Sequence, residues 1–232
     1  MQRWLARKAS ARRLFVTWPN RLNNAVFDIE CRNCPRLARF LGEVNSRYPD
    51  YYCRPVPPFG DAQARLLIVG LAPGMHGANR SGRPFTGDHA GILLYQMLHK
   101  YGFASADHSE SVDDGLTLKG ARITNAVKCL PPDNKPVGAE INMCNEFLAN
   151  ELQTLPDGAV VLALGGIAHR AIIKACGLRQ VEYKFGHAAL HELPEFRLLD
   201  SYHCSRYNTN TGRLTEAMFS AVFAQAKQLL DN

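Results

Sequence analysis

Apolar positions along the chain fall into short unbroken runs, separated by longer stretches with helical spacing. Arg65-Leu-Leu-Ile-Val-Gly70, Gly120-Ala-Arg-Ile-Thr-Asn-Ala-Val127, Ala159-Val-Val-Leu-Ala-Leu-Gly165 and Phe196-Arg-Leu-Leu-Asp-Ser-Tyr202 read as buried strands. Between and after them, apolar residues at helical spacing predict helices over about 88–101, 138–154, 166–176 and 213–230, with Gly102 and Gly177 at two of the stops. Strand and helix alternate, which predicts an α/β fold: a three-layer α/β/α sandwich with a mostly parallel central sheet. The stretch before residue 61 departs from this pattern. It holds the aromatic segment Tyr48-Pro-Asp-Tyr-Tyr-Cys53 and the proline-rich Arg54-Pro-Val-Pro-Pro-Phe-Gly60, and reads as a lid or strap on a single domain spanning 27–232.

Ligands of open α/β sheets bind at the carboxyl ends of the strands. Three polar segments begin where strands stop, at about 71–91, 125–136 and 203–215, and are expected to converge on one crevice. The first, GLAPGMHGANRSGRPFTGDHAG, is neither a Walker A loop nor a G-x-G-x-x-G fingerprint. Its glycines, Gly70 and Gly74 among them, allow close backbone approach to a ligand, and Asn79, Arg80 and Arg83 can reach an anion. Phe85 is either a stacking platform for a base or a core residue. Asp88 is either a general base or the N-cap of the helix that follows. Asn125 offers one acceptor and two donors to the edge of a pyrimidine, or is a turn residue. His203, at a strand end, is a candidate proton donor or anion stabiliser, while His169, His187 and His191 read as surface or core histidines. Ser205, Arg206, Asn208, Asn210 and Arg213 suit phosphates, and Leu214 is placed to wedge into a base stack.

Composition narrows the class. In 232 residues with 46% apolar and 21% charged side chains, no apolar run approaches the roughly 18 residues of a membrane span. The net charge of +6 comes from Arg3, Arg7, Lys8, Arg12, Arg13 and Arg21, all ahead of the first acid, Asp28. Residues 1–26 therefore form a basic extension, and the rest of the chain is formally neutral. The opening lacks a secretory signal's apolar centre, so a reducing, cytoplasmic setting is expected. There seven cysteines favour metal over disulfides: Cys31-Arg-Asn-Cys34 and the pair Cys129 and Cys144 suit tetrahedral zinc or a four-cysteine iron–sulfur cluster. Cys53, Cys176 and Cys204 read as small buried apolar residues.

The sequence resembles the iron–sulfur uracil-DNA glycosylases, specifically the family 5 (type b) branch. The resemblance rests on GLAPGMHGANRSGRPFTGDHAG, ITNAVKCLPPDNKP followed by Cys144, YHCSRYNTNTGRLT and the early C-x2-C. It implies a glycosylase-type α/β/α fold and a 4Fe-4S cluster on Cys31, Cys34, Cys129 and Cys144. It further implies water activation by Asp88, stacking by Phe85, base recognition by Asn125 and stabilisation of the leaving base by His203. The GLAPG segment carries no side-chain acid or amide, which sets the chain apart from the related four-cysteine branch. Ser81, where threonine is expected, and Cys53, where a non-cysteine is expected, depart from the pattern. The implied activity is monofunctional excision of uracil, and of other deaminated bases such as hypoxanthine, from DNA by a monomeric enzyme. The competing readings are a non-catalytic, metal-stapled nucleic-acid-binding module and a redox iron–sulfur protein.

Overall fold

The structure is a computed structural model and describes residues 27–231; the basic extension 1–26 lies outside the described residues. The chain runs α1 (Pro35–Arg47), β1 (Phe59–Gly60), β2 (Leu66–Gly70), α2 (Ala78–Ser81), α3 (His89–Lys100), β3 (Ala121–Asn125), α4 (Gly138–Gln153), β4 (Val160–Leu164), α5 (Gly166–Ala175), β5 (Leu190–Glu192), β6 (Arg197–Ser201), α6 (Arg206–Asn210) and α7 (Glu216–Asp231), with short 3-10 turns after β3 and α5. The six strands form one sheet in the order β1-β3-β2-β4-β6-β5. The four central strands are parallel and the two short edge strands are antiparallel.

Alternation along the buried strands divides the core into two layers. Leu66, Ile68, Ile123, Leu162 and Leu199 face one way and meet Leu94 and Leu98 of α3 and Phe219 and Phe223 of α7. Leu67, Val69, Val161 and Leu198 face the other way, against Leu148 and Leu152 of α4 and Ile172 and Ile173 of α5. The three-layer sandwich expected from the sequence is the observed fold. Among the described residues no helix is long and apolar enough to cross a membrane.

The segment read as a strap contains a helix. Pro35 stands at the first turn of α1, where its missing N–H costs nothing, and Leu37, Leu41 and Val44 recur on one face. That face packs on Val127, Leu130 and Cys144, so α1 docks on the loop after β3 and the start of α4. A bidentate ion pair fastens it: Arg36 Nε to Glu140 Oε1 at 2.7 Å and Nη2 to Oε2 at 2.8 Å. At the other end, residues 206–210 form α6, and α7 begins at Glu216 instead of 213.

Candidate active site

The chain leaves β2 toward β3 on one side and reaches β6 from β4 on the other, so the neighbours β2 and β4 mark the point where the winding reverses. At their carboxyl ends lies a cleft of about 480 Å3, large enough for a nucleobase-sized ligand. All three segments expected to converge contribute to it: Leu71, Gly74, Phe85 and Asp88 from the first, Asn125 and Asn134 from the second, and His203, Ser205 and Arg206 from the third. A fourth wall was missed by sequence reading. It is Gly165-Gly166-Ile167 at the end of β4, and the same strand-end rule applied to the run 159–165 would have found it.

Gly70 and Asn125 pair across β2 and β3. A Cβ on Gly70 would lie 2.4 Å from Asn125 Oδ1 and 2.7 Å from Phe85 Cζ, so the glycine is what lets both side chains close over the strand end. Phe85 itself has a left-handed backbone, with φ of 55°. That conformation is costly for a bulky residue and persists because its surroundings enforce it. Tyr95 donates to Pro84 O at 2.9 Å, and Gly91 lies against the Phe85 carbonyl so closely that a Cβ there would stand 1.8 Å from the oxygen. The buried Phe85 ring stands 6.0 Å from that of His203, inclined by 28°.

Asp88 is the N-cap expected of its position and also faces the cleft. Oδ1 accepts from Gly91 N at 2.8 Å and caps α3, and the residue also lines the cleft beneath Gly74 and Gly77. A Cβ at Gly77 would come within 2.6 Å of Asp88 Oδ2, so the loop glycine makes room for the carboxylate. Burial raises its carboxyl above the ordinary range, against the lowering effect of the Gly91 N–H. His203 is half-buried at the cleft wall, and desolvation lowers its imidazole to about 4, leaving the ring neutral at neutral pH. Its Nδ1 and the Oδ1 of Asn125 are buried polar atoms with no partner among the described residues. Such orphans are rare, and two at one cleft wall indicate that a polar ligand completes them.

Several residues expected to touch DNA do other work. Asn79 is wholly buried and donates to Cys53 Sγ at 3.5 Å. Arg83 is buried as well: it pairs with Asp114, donates to Thr86 Oγ1 at 2.9 Å and Ser109 Oγ at 2.7 Å, and lies 4.8 Å from the Phe59 ring centroid. It braces the loop and cannot reach an anion outside. Leu214 is 1% exposed, packed in the core below α7, and is no wedge in this conformation. Ser205 caps α6 and Asn208 donates through Nδ2 to His203 O at 2.8 Å, so both hold the loop that carries the histidine. Arg80, Arg206 and Arg213 are exposed, the last over the Tyr202 ring at 4.7 Å.

Cys31, Cys34, Cys129 and Cys144 line one small enclosed cavity with Leu37, Val127 and Phe147. Burial, then the neighbouring thiols, push Cys34 up to about 11 and raise Cys129 further still. Four cysteine sulfurs gathered in one cavity, with Cys34, Cys129 and Cys144 raised by burial and by neighbouring thiols, make a donor set that fits a thiolate-bound metal group, whose positive charge would hold them as thiolates. Lys128 N donates to Cys144 Sγ at 3.2 Å, the kind of contact that steadies a ligating sulfur. Cys53 is not part of the cavity, Cys204 is a buried core residue as expected, and Cys176 is half-buried.

A family model described as the uracil DNA glycosylase superfamily matches residues 57–227, and the chain belongs to that superfamily. Among its relatives, a type-5 uracil-DNA glycosylase of Thermus thermophilus is 49% identical over 205 residues, covering 86% of this chain and 93% of the relative. The type-5 uracil-DNA glycosylase of Pyrobaculum aerophilum is 40% identical over 226 residues and 96% of both chains. A type-4 uracil-DNA glycosylase of Archaeoglobus fulgidus is 33% identical over 145 residues, 62% of this chain and 59% of the relative.

Proposed function

We propose that the chain is a monofunctional DNA glycosylase that hydrolyses the N-glycosidic bond of deoxyuridine in DNA and leaves an abasic site. The observation that carries this reading is the pair of unpartnered polar atoms, Asn125 Oδ1 and His203 Nδ1, at the wall of a cleft that also holds the Asp88 carboxyl. The target bond is inaccessible in the stacked duplex, so the nucleotide must swing into the cleft, which a mispaired base does at lower cost. Phe85 stacks on the base, and the Asn125 amide pairs with its edge. Cleavage leaves an oxocarbenium-like sugar and a uracil anion, and His203 donates to the charge developing on the base oxygen. A neutral imidazole suits this role, because it stabilises the anion without having to lose a proton on binding. Asp88, with Oδ1 tied to Gly91, uses Oδ2 to orient the attacking water and to stabilise the sugar cation.

Among the described residues no lysine lines the cleft to form a Schiff base. Lys128 is buried between Thr124 and Glu151. Arg80, Arg206 and Arg213 remain to meet backbone phosphates. Cys31, Cys34, Cys129 and Cys144 would hold a 4Fe-4S cluster, which when bound supplies a cross-link between α1, the loop after β3 and α4. On this reading 27–232 act as one domain and the enzyme works as a monomer, since one chain builds the whole cleft. Hypoxanthine and other deaminated bases are secondary substrates.

The test is incubation with labelled duplexes carrying one uracil opposite guanine or adenine, with hypoxanthine and unmodified controls, followed by alkali. Cleavage at uracil only after alkali is the expected result. Intact strands despite demonstrable binding would overturn the reading in favour of a non-catalytic binding module.

A further inference from the structure

Behind the cleft, on the α5 face of the sheet, lies a second polar cluster that the proposed chemistry does not use: His169 on α5, Asp200 on β6 and His191 on β5. We infer that the buried His169–Asp200 pair is a positioning element for His203, tying α5, the helix that follows β4, to the end of β6 that carries the histidine. The inference rests on the proposed glycosylase reading.

His169 is 1% exposed and Asp200 fully buried. His169 Nδ1 lies 2.8 Å from Asp200 Oδ1 and Nε2 lies 2.9 Å from the Tyr183 carbonyl. Both neighbours are acceptors, so both ring nitrogens donate and the ring is an imidazolium paired with a carboxylate. The bond to Asp200 raises the imidazole despite burial. Asp200 Oδ2 takes two further donors, His191 Nε2 at 3.1 Å and Gly186 N at 3.4 Å. The carboxylate thereby gathers α5, β5 and the 183–191 segment onto β6.

Each of these elements leads to the cleft. His169 is three residues beyond Gly166, and Asp200 three residues before His203. The 183–191 segment returns support at Tyr202, the residue next to His203: Tyr202 N donates to His187 Nδ1 at 3.2 Å, and the two rings stack at 5.0 Å and 19°. The His203 side chain has no hydrogen-bond partner of its own among the described residues. Its placement depends on its backbone, on Asn208 at its carbonyl and on packing beside the Phe85 ring. A ring with no side-chain hydrogen bond, held by its backbone and by packing beside Phe85, is sensitive to slack in β6, and a misplacement of about 1 Å costs on the order of 100-fold in rate.

The test is a double-mutant cycle under single-turnover conditions with uracil-containing duplex. His169→Gln is expected to slow base release roughly 10- to 100-fold in the wild-type background and less than about twofold in a His203→Ala background, with duplex affinity unchanged. His187→Ala, which removes a half-buried ring without touching the ion pair, is expected to show the same dependence on His203 with a smaller loss, and it serves if His169→Gln does not fold. Equal losses in both backgrounds would overturn the inference and leave the pair a purely structural one. Stoichiometric zinc in the purified protein that is lost in His191→Ala would also overturn it, making the cluster a metal centre. An inactive wild type would instead overturn the glycosylase reading.

Discussion

Gly70 and Asn125 stand opposite each other at the ends of adjacent parallel strands, and the position of the asparagine amide requires the glycine to have no side chain. An alanine at 70 would have to displace Asn125 Oδ1 and the Phe85 ring together, since both lie within 3 Å of where its Cβ would be. Gly70→Ala is therefore expected to reduce uracil release by at least about 10-fold with little change in melting temperature, because the strain falls on cleft side chains. Single-turnover kinetics beside a thermal melt checks this. A variant with full activity would show that the two side chains are not held where the chemistry needs them.

His203→Ala is expected to lower the single-turnover rate about 10²- to 10³-fold, the scale of losing one donor to a developing anion. The histidine also has a stability signature. Its folded value of about 4 lies below the ordinary value near 6.5, so between these limits the unfolded chain binds a proton that the folded chain refuses. Stability associated with His203 is full above about pH 6.5 and is lost as pH falls toward 4. Urea midpoints at pH 7 and pH 5 are expected to differ less in His203→Ala than in wild type; an unchanged difference would mean that the ring is not buried as described.

In the proposed mechanism Asp88 must be ionised to orient water and to face a sugar cation, and burial raises its carboxyl. The acid limb of the rate profile is thus expected to belong to Asp88, with a midpoint above the ordinary aspartate value and rate lost as pH falls. In Asp88→Asn that limb disappears along with most of the activity. The variant keeps an oxygen that can cap α3, so its fold is expected to survive. A wild-type acid limb persisting in Asp88→Asn would assign it elsewhere.

The four buried strands were legible because a β-strand enclosed on both faces must be apolar throughout, and runs such as Leu66–Val69 have no other stable place in a chain of this size. The convergence of strand-end loops followed from that topology. What local pattern could not show was which polar side chains the fold turns inward. Arg83 and Asn79 belong to a loop that looks anion-binding in composition, yet Asp114, Ser109 and Cys53, all distant in sequence, claim them. Leu214 follows an exposed polar tip and still points to the core, because α7 begins two residues later. Helix α1 carried a visible i, i+4, i+7 stripe, but cysteines and prolines around it favoured a strap.

Metal binding at Cys31, Cys34, Cys129 and Cys144 is expected to be a matter of stability more than of chemistry. Anaerobically purified protein should carry about four irons with visible charge-transfer absorbance. Cys129→Ser should lose that absorbance and melt at lower temperature, since α1 would then dock through the apolar contacts of Leu37, Phe40, Leu41 and Val44 and the hydrogen bonds of Arg36 to Glu140 and Lys135 without the cross-link. Residual single-turnover activity well below the melting point would fit a cross-link. Complete loss in a fully folded variant would place the metal group in the reaction.

Arg83 and Arg206 make opposite predictions from the same side chain. Arg83 is enclosed, and its partner Asp114 is held well below the usual carboxylate range by that guanidinium and by backbone N–H groups, against the raising effect of burial. Arg83→Ala leaves the carboxylate without its counter-charge and is expected to cost about 2 kcal/mol or more in folding stability at neutral pH. The penalty should shrink as acid protonates Asp114, because a carboxyl with a lowered value contributes its stability at higher pH and loses it on acidification. The salt dependence of duplex binding should not change. Arg206, exposed at the cleft mouth, should behave the other way: Arg206→Ala leaves the melting temperature near wild type and reduces the slope of log affinity against log salt by about 1. Urea denaturation and duplex titrations at several salt concentrations separate the two, and an Arg83→Ala protein of normal stability with a reduced salt slope would return Arg83 to the DNA interface.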